Sequence, residues 1–235
     1  MVLWTLFPIM LAFISFVGTW TVYGIARSNN HVCSLSDWSG ENFCSGNTTV
    51  NCCYVPTIST SGTYAPENSL FTATINAGSF LFVLFCVFHH AHVLEKHPAL
   101  SMMSRVATLM GLVAGLGAFV AGNCNPHHLA LLHYLGAAVS FVCICFYTVM
   151  LTALTRKCQL SGLEHMLYPY RVVSTIVQEQ YLYSHVSAVF EWMLSVNLQL
   201  LEFSFAAEFY YFSSFMITNL LGKRDEQKPL MLTLS

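Results

Sequence analysis

Five apolar runs, at about 4–25, 69–94, 103–122, 129–154 and 186–221, constrain this 235-residue chain more than any other feature. Each reaches the roughly 20 residues that a helix needs to cross the hydrocarbon core of a bilayer. Only 9% of the residues are charged and 55% are hydrophobic, whereas a soluble domain carries about 25% charged residues. A solvent other than water must therefore face much of the surface. The runs predict an all-α, polytopic membrane bundle with five clear spans. The first run lacks a basic flank and a small-residue cleavage site, and reads as a retained signal-anchor helix. The net charge of -2 comes without a basic stripe, which excludes nucleic acid as an expected partner.

Basic residues set the orientation. Lys96 and Arg105 fall between the second and third runs, and Arg156, Lys157 and Arg171 follow the fourth. The linker "GNCNPHH" between the third and fourth runs carries no Lys or Arg. Lys and Arg bias cytoplasmic loops. The N-terminus is therefore expected in the cytoplasm, and the polar insert at 27–68 outside or in a lumen. That insert holds Cys33, Cys44, Cys52 and Cys53 and the sequon Asn47-Thr48-Thr49. Disulfides persist on the oxidising side, and only that side glycosylates. Four cysteines permit three pairings. Neighbours Cys52 and Cys53 rarely bond each other, so each is expected to pair with Cys33 or Cys44. A zinc site fits poorly, because the spacing is not C-x2-C. Cys86, Cys143 and Cys145 read as packed helix residues. Cys158 is a candidate for palmitoylation.

The order and spacing of several longer motifs resemble a known family. "WTVYGIARSNNHVC" closes the first run, "ISTSGTYAPENSLFTATINAG" leads into the second, and "GNCNPHHLALLHYLGAAVSF" joins the third to the fourth. "HVSAVFEW" opens the last run, with "EF" 17 residues after Glu191. Together they resemble the transmembrane protein 150/DRAM family of the Frag/DRAM/Sfk superfamily, most nearly its transmembrane protein 150A branch. The resemblance implies six helices and, at two positions where this chain has Ser61 and Ser69, a further cysteine pair. It also implies a non-enzymatic regulator of phosphatidylinositol 4-kinase recruitment and phosphoinositide supply at the plasma membrane. The DRAM branch implies instead a lysosomal or endosomal modulator of autophagy and cell survival. In the polar tail at 222–235, Glu226, Leu230 and Met231 resemble an acidic dileucine sorting signal. A third reading, a channel or channel modulator, rests on the acids of the last run. The expected partners are membrane lipids and a 4-kinase complex. No oligomeric state and no cofactor are expected from the sequence.

The fifth of those six helices is degenerate here. The stretch at 166–185 has only Val172–Val177 as an apolar core, followed at once by Gln178, Glu179 and Gln180. A charge at mid-membrane costs about 2.5–3.5 kcal/mol or more. Either this stretch still crosses and keeps the tail inside, or it lies on the surface and the last helix is inverted.

Polar residues in the runs are the remaining candidates. His89, His90, His92 and His97 in "FHHAHVLEKH" read as the interfacial tip of the second helix rather than as a metal site. No catalytic motif appears, so no enzyme activity is expected. Glu191 and Glu202 share a helix face at a spacing of 11 residues, and Glu208 is expected near an interface. Gly111, Gly115 and Ala118 form a small-residue stripe suited to close helix packing. Asn76, His133 and Glu191 each fall about 10 Å below the outer surface at 1.5 Å per residue. Groups this polar at one depth are expected to form a buried Asn–His–Glu cluster that fixes helix register.

Overall fold

The computed structural model describes residues 2–36, 55–158, 162–183 and 188–212. Cys44, Cys52, Cys53 and Asn47, as well as Glu226, Leu230 and Met231, lie outside these residues. The described chain is helical: α1 (Val2–Ser28), α2 (Ile58–Ser61), α3 (Glu67–Lys96), α4 (Ser101–Asn123), α5 (Ala130–Lys157), α6 (Gly162–Tyr183), α7 (Ala188–Ser204) and α8 (Ala206–Phe209), with a 3-10 turn at Pro98–Leu100.

Among the described residues, four helices, α1, α3, α4 with its leading turn, and α5, are long and apolar enough to cross a membrane. The fifth run of the expectation extends to 221, beyond the described residues. The fifth run does not continue as one helix: α7 has 17 residues and the chain turns at Phe205 before α8. The residues outside the core are apolar as well. Leu131 is 80% exposed and Phe80 64%, a surface that lipid solvates and water does not.

Neighbouring helices alternate in direction. At one end Trp4 and Phe7 of α1 meet Phe88 of α3 with ring centroids 5.1 and 4.9 Å apart. At the other, Thr72 of α3 donates to the Gly122 carbonyl of α4 at 2.9 Å. The first end carries Lys96, Arg105, Arg156 and Lys157, all exposed, and is called the basic end below. The second leads into the polar insert and is called the loop end. Between α4 and α5 the backbones touch. A Cβ on Gly117 would come within 2.7 Å of the Gly136 carbonyl and the Ser140 amide. The expected small-residue stripe is thus redistributed. Gly111 faces Cys86 and Tyr147, Gly115 faces Val83, and Gly117 with Gly136 makes the close crossing.

The described part of the stretch at 166–185, as far as Tyr183, falls within α6, a 22-residue helix. It runs antiparallel to α5, through Thr152–Thr175 at 2.8 Å and Thr155–Arg171 at 3.2 Å. It also runs antiparallel to α7, where Asn197 Nδ2 donates to the Ser174 carbonyl at 3.0 Å and Arg171 Nε to Ser204 Oγ at 3.1 Å. Helix α7 therefore starts at the loop end and finishes at the basic end, the direction it has if all six long helices cross.

The loop end is fastened by a turn signal in the sequence. Asn30 has φ 58°, and His31 N–H donates to the Ala26 carbonyl at 2.9 Å while Asn30 N–H donates to Arg27 at 3.2 Å. This is a Schellman stop with Asn in the left-handed position. It swings His31 onto the buried carboxylate of Glu67, which Asn29 also approaches at 3.4 Å. Past that turn, Cys33 is buried and disulfide-bonded.

Candidate functional site

Among the described residues a concentration of buried polarity lies at the basic end, on residues that sequence reasoning placed elsewhere. Arg171 is fully buried on α6. Its Nη1 donates to Glu208 Oε2 at 3.1 Å and to Thr155 Oγ1 at 3.2 Å. Its Nε donates to Ser204 Oγ and its Nη2 to the Ser204 carbonyl, both at 3.1 Å. The guanidinium carbon sits 3.5 Å from the ring centroid of Phe205, a cation–π contact that strengthens when desolvated. On its far side Glu208 accepts from His89 Nε2 at 3.0 Å. One carboxylate, one guanidinium and one imidazole thus join α3, α5, α6, α7 and α8.

Local sequence explains why these atoms converge. Phe205 N–H bonds back three residues to the Glu202 carbonyl at 3.1 Å, and Glu208 N–H to Phe205 at 3.0 Å. That tightened turn releases the Ser204 carbonyl, which Arg171 takes up. Phe205, Phe209 and Phe212 then fall into the core, each at most 1% exposed, and carry Glu208 inward with them. On α3, His89 lies under Phe85 and against Phe205.

The expectations for these residues need correction. The "HHAH" histidines make contacts within the bundle. His89 is buried, His90 Nδ1 bonds Ser104 Oγ at 2.7 Å, and His92 stacks on Phe212 at 4.3 Å. Arg171 is not part of a solvated basic loop, and Glu208 is buried within the protein. One signal was available. Arg171 is the only Lys or Arg between Lys157 and Lys223, in a region with an acid inside an apolar run. A lone buried acid in lipid needs a counter-charge.

Among the described residues no hydrogen bond joins Asn76, His133 and Glu191. Asn76 exchanges side-chain bonds with Asn123, at 2.7 and 3.3 Å. His133 Nδ1 lies 2.9 Å from both the Ala121 and Cys124 carbonyls, at the end of α4. Glu191 is met by the backbone amides of Ile58 and Ser59. Each group finds a nearer partner in the chain that closes the bundle, so equal depth does not bring them together. Glu202 is buried on the face of α7 that meets Phe82, Phe85, Tyr147 and Leu151, and no hydrogen bond links it to Glu191.

The network clamps helices. Among the described residues, no group of three or more His, Cys, Asp or Glu side chains is placed to hold a metal ion.

Comparison with known proteins assigns the family. The family model described as the Frag1/DRAM/Sfk1/Cwh43P N-terminal domain matches residues 3–212. The chain belongs to the Frag1/DRAM/Sfk1 family. It is 31% identical over 227 residues to transmembrane protein 150A of Xenopus laevis, covering 88% of this chain and 83% of the relative. The human transmembrane protein 150A is 29% identical over 230 residues, covering 89% and 84%. The modulator of macroautophagy TMEM150B of Xenopus tropicalis is 27% identical over 218 residues, covering 88% and 87%. No solved structure matches this family member. The match spans the charge network as well as the insert.

Proposed function

We propose that this family member is a non-enzymatic, six-crossing regulator that sets recruitment of a phosphatidylinositol 4-kinase complex at the plasma membrane. Its basic end then faces the cytoplasm. The observation that carries this reading is the direction of α6 and α7. They run antiparallel to each other, so α7 and α8 finish at the end bearing Lys96, Arg105, Arg156 and Lys157. An adaptor for a cytoplasmic kinase needs its termini and basic tips on one side, and basic tips favour that side. The half-cystine Cys33 at the opposite end supports an oxidising environment for the insert and, with it, a glycan on Asn47.

The test is expression of the full chain beside a tagged 4-kinase complex and organelle markers. Altered recruitment of the complex to the cell surface is expected, with no lipid kinase activity in the purified protein. A second reading, modulation of autophagy from lysosomes or endosomes, is supported by the TMEM150B relatives and by the sorting pattern at Glu226, Leu230 and Met231. Exclusive lysosomal residence with an effect on autophagic flux alone would favour it. A glycosidase shift in wild type that is absent in Asn47→Gln is expected under either reading.

A further inference from the structure

Two neighbouring acids of the last run, Glu202 and Glu208, have opposite surroundings. Glu208 is answered twice, by Arg171 Nη1 at 3.1 Å and by His89 Nε2 at 3.0 Å. Glu202 is only 6% exposed, yet it makes no hydrogen bond or ion pair with any described residue. It faces Phe82 and Phe85 of α3 and Tyr147 of α5, with Leu198 and Phe205 beside it along the chain. Two further buried side chains around it are short of partners. Gln199, one turn earlier on α7 and also 6% exposed, donates from Nε2 to Ser195 Oγ at 3.1 Å, whereas its Oε1 accepts from no described residue. The Tyr147 hydroxyl, in the wall that Glu202 faces, makes no hydrogen bond of ordinary geometry. The Cys86 thiol stands beside it, and a thiol is a weak partner.

We infer that Glu202 is a proton-binding site inside the bundle, set between Tyr147 and Gln199. An ionised carboxylate accepts hydrogen bonds and donates none. It could take the Tyr147 O–H, but Gln199 Oε1 would stay unmet and a net charge would stand among Phe82, Phe85 and Phe205. A carboxylic acid closes the count. Its carbonyl accepts from Tyr147, and its O–H donates to Gln199 Oε1, since side chains three apart on a helix are neighbours. A buried carboxylate that finds no counter-charge takes up a proton instead. The counter-charges at this end are already committed, because Arg171 of α6 and His89 of α3 both bond Glu208. The other titratable groups around Glu202 are Cys86 and Tyr147, and neither is a cation. Helix α1, which packs on α7, has no titratable side chain from Trp4 to Val22. Three oxygens are also few for a hard metal ion, which takes about six or more. The inference does not depend on the kinase or autophagy reading.

The test uses the purified full chain in detergent and the lipid-soluble reagent dicyclohexylcarbodiimide. The proton of the acid passes to a carbodiimide nitrogen and the carboxyl oxygen adds to the central carbon, so the reaction selects carboxylic acids over carboxylates. Peptide mass spectrometry near neutral pH should find several-fold more adduct on Glu202 than on Glu208. Infrared spectra give a measure that does not require the reagent to reach the site. A carboxylic-acid C=O band is expected near neutral pH in the wild type and should be lost in Glu202→Gln. That variant keeps a donor and an acceptor at the position, so its thermal midpoint should match the wild type. Peptide assignment in the wild type decides the matter even if the variant unfolds. Adduct on Glu208 in preference to Glu202, or a spectrum that Glu202→Gln leaves unchanged, would overturn the inference. So would loss of the band when sodium chloride replaces choline chloride, since the oxygens would then hold a metal cation rather than a proton.

Discussion

The two ends of the bundle solve the same problem in different ways. At the loop end, apart from the buried Glu67 carboxylate that His31 meets, polar groups are many and mostly matched to backbone. Trp192 Nε1 donates to the Pro56 carbonyl at 3.0 Å, Asn125 Nδ2 to Thr63 at 2.8 Å, and the Leu35 amide to the Tyr23 hydroxyl at 3.0 Å. At the basic end, a few fully buried charged groups depend on one another. A hydrogen bond lost beside water is replaced by water. A charge stranded among Phe85, Phe205 and Phe209 is replaced by nothing. Away from Glu67, the loop end should therefore tolerate single substitutions that the basic end does not.

The largest effect is expected at Arg171. Removing one partner of a buried ion pair costs about 3–5 kcal/mol, whereas replacing both by apolar residues is often neutral. Arg171→Met should sharply lower the thermal midpoint of purified protein in detergent. Arg171→Met combined with Glu208→Leu should recover much of the loss. A double variant no better than the single one would mean that Arg171 acts through Ser204 and Phe205 rather than through charge.

Between the ends, Gly117→Leu drives a side chain into the Gly136 and Ser140 backbone. Overpacking of this kind costs about 1–3 kcal/mol. The same unfolding measurement should place it between Arg171→Met and any loop-end variant. Gly24, with nothing within 4 Å of an added Cβ, is the control, and Gly24→Ala should leave the midpoint in place.

At the loop end, Trp192→Phe keeps the ring among Trp20 and Tyr23 but removes the N–H that reaches Pro56. One hydrogen bond of this type contributes about 1 kcal/mol. Limited proteolysis of the insert should accelerate modestly while the bundle midpoint barely moves. Global unfolding as severe as that of Arg171→Met would erase the distinction between the ends.

The smallest effect is expected for Asn76→Ala. Interhelical side-chain bonds in membranes average about 0.6 kcal/mol, and the Asn76–Asn123 pair is exposed. Hydrogen exchange at the end of α4 should report it, with little change elsewhere. Loss of the whole bundle would revive Asn76 as the centre of a larger polar cluster.

Much of the architecture follows from the sequence because bilayer thickness and backbone hydrogen bonding leave few alternatives. Four apolar runs became helices long enough to cross, and the Asn30 stop is written in "SNNH". The partners of the polar residues were not legible in the same way. Depth along a helix follows from 1.5 Å per residue, but the azimuth of one helix against another does not. Asn76, His133 and Glu191 were assigned a common depth and yet turned to Asn123, the end of α4 and the start of α2. Arg171 and Glu208 lie 37 residues apart on segments whose hydropathy suggested a loop and an interface. What joins them is the turn at Phe205 and the packing of its aromatic neighbours. These depend on contacts with α3 and α6 that no local pattern encodes, so the sequence alone determined the helices and their material, and only the tertiary structure decided which buried charges meet.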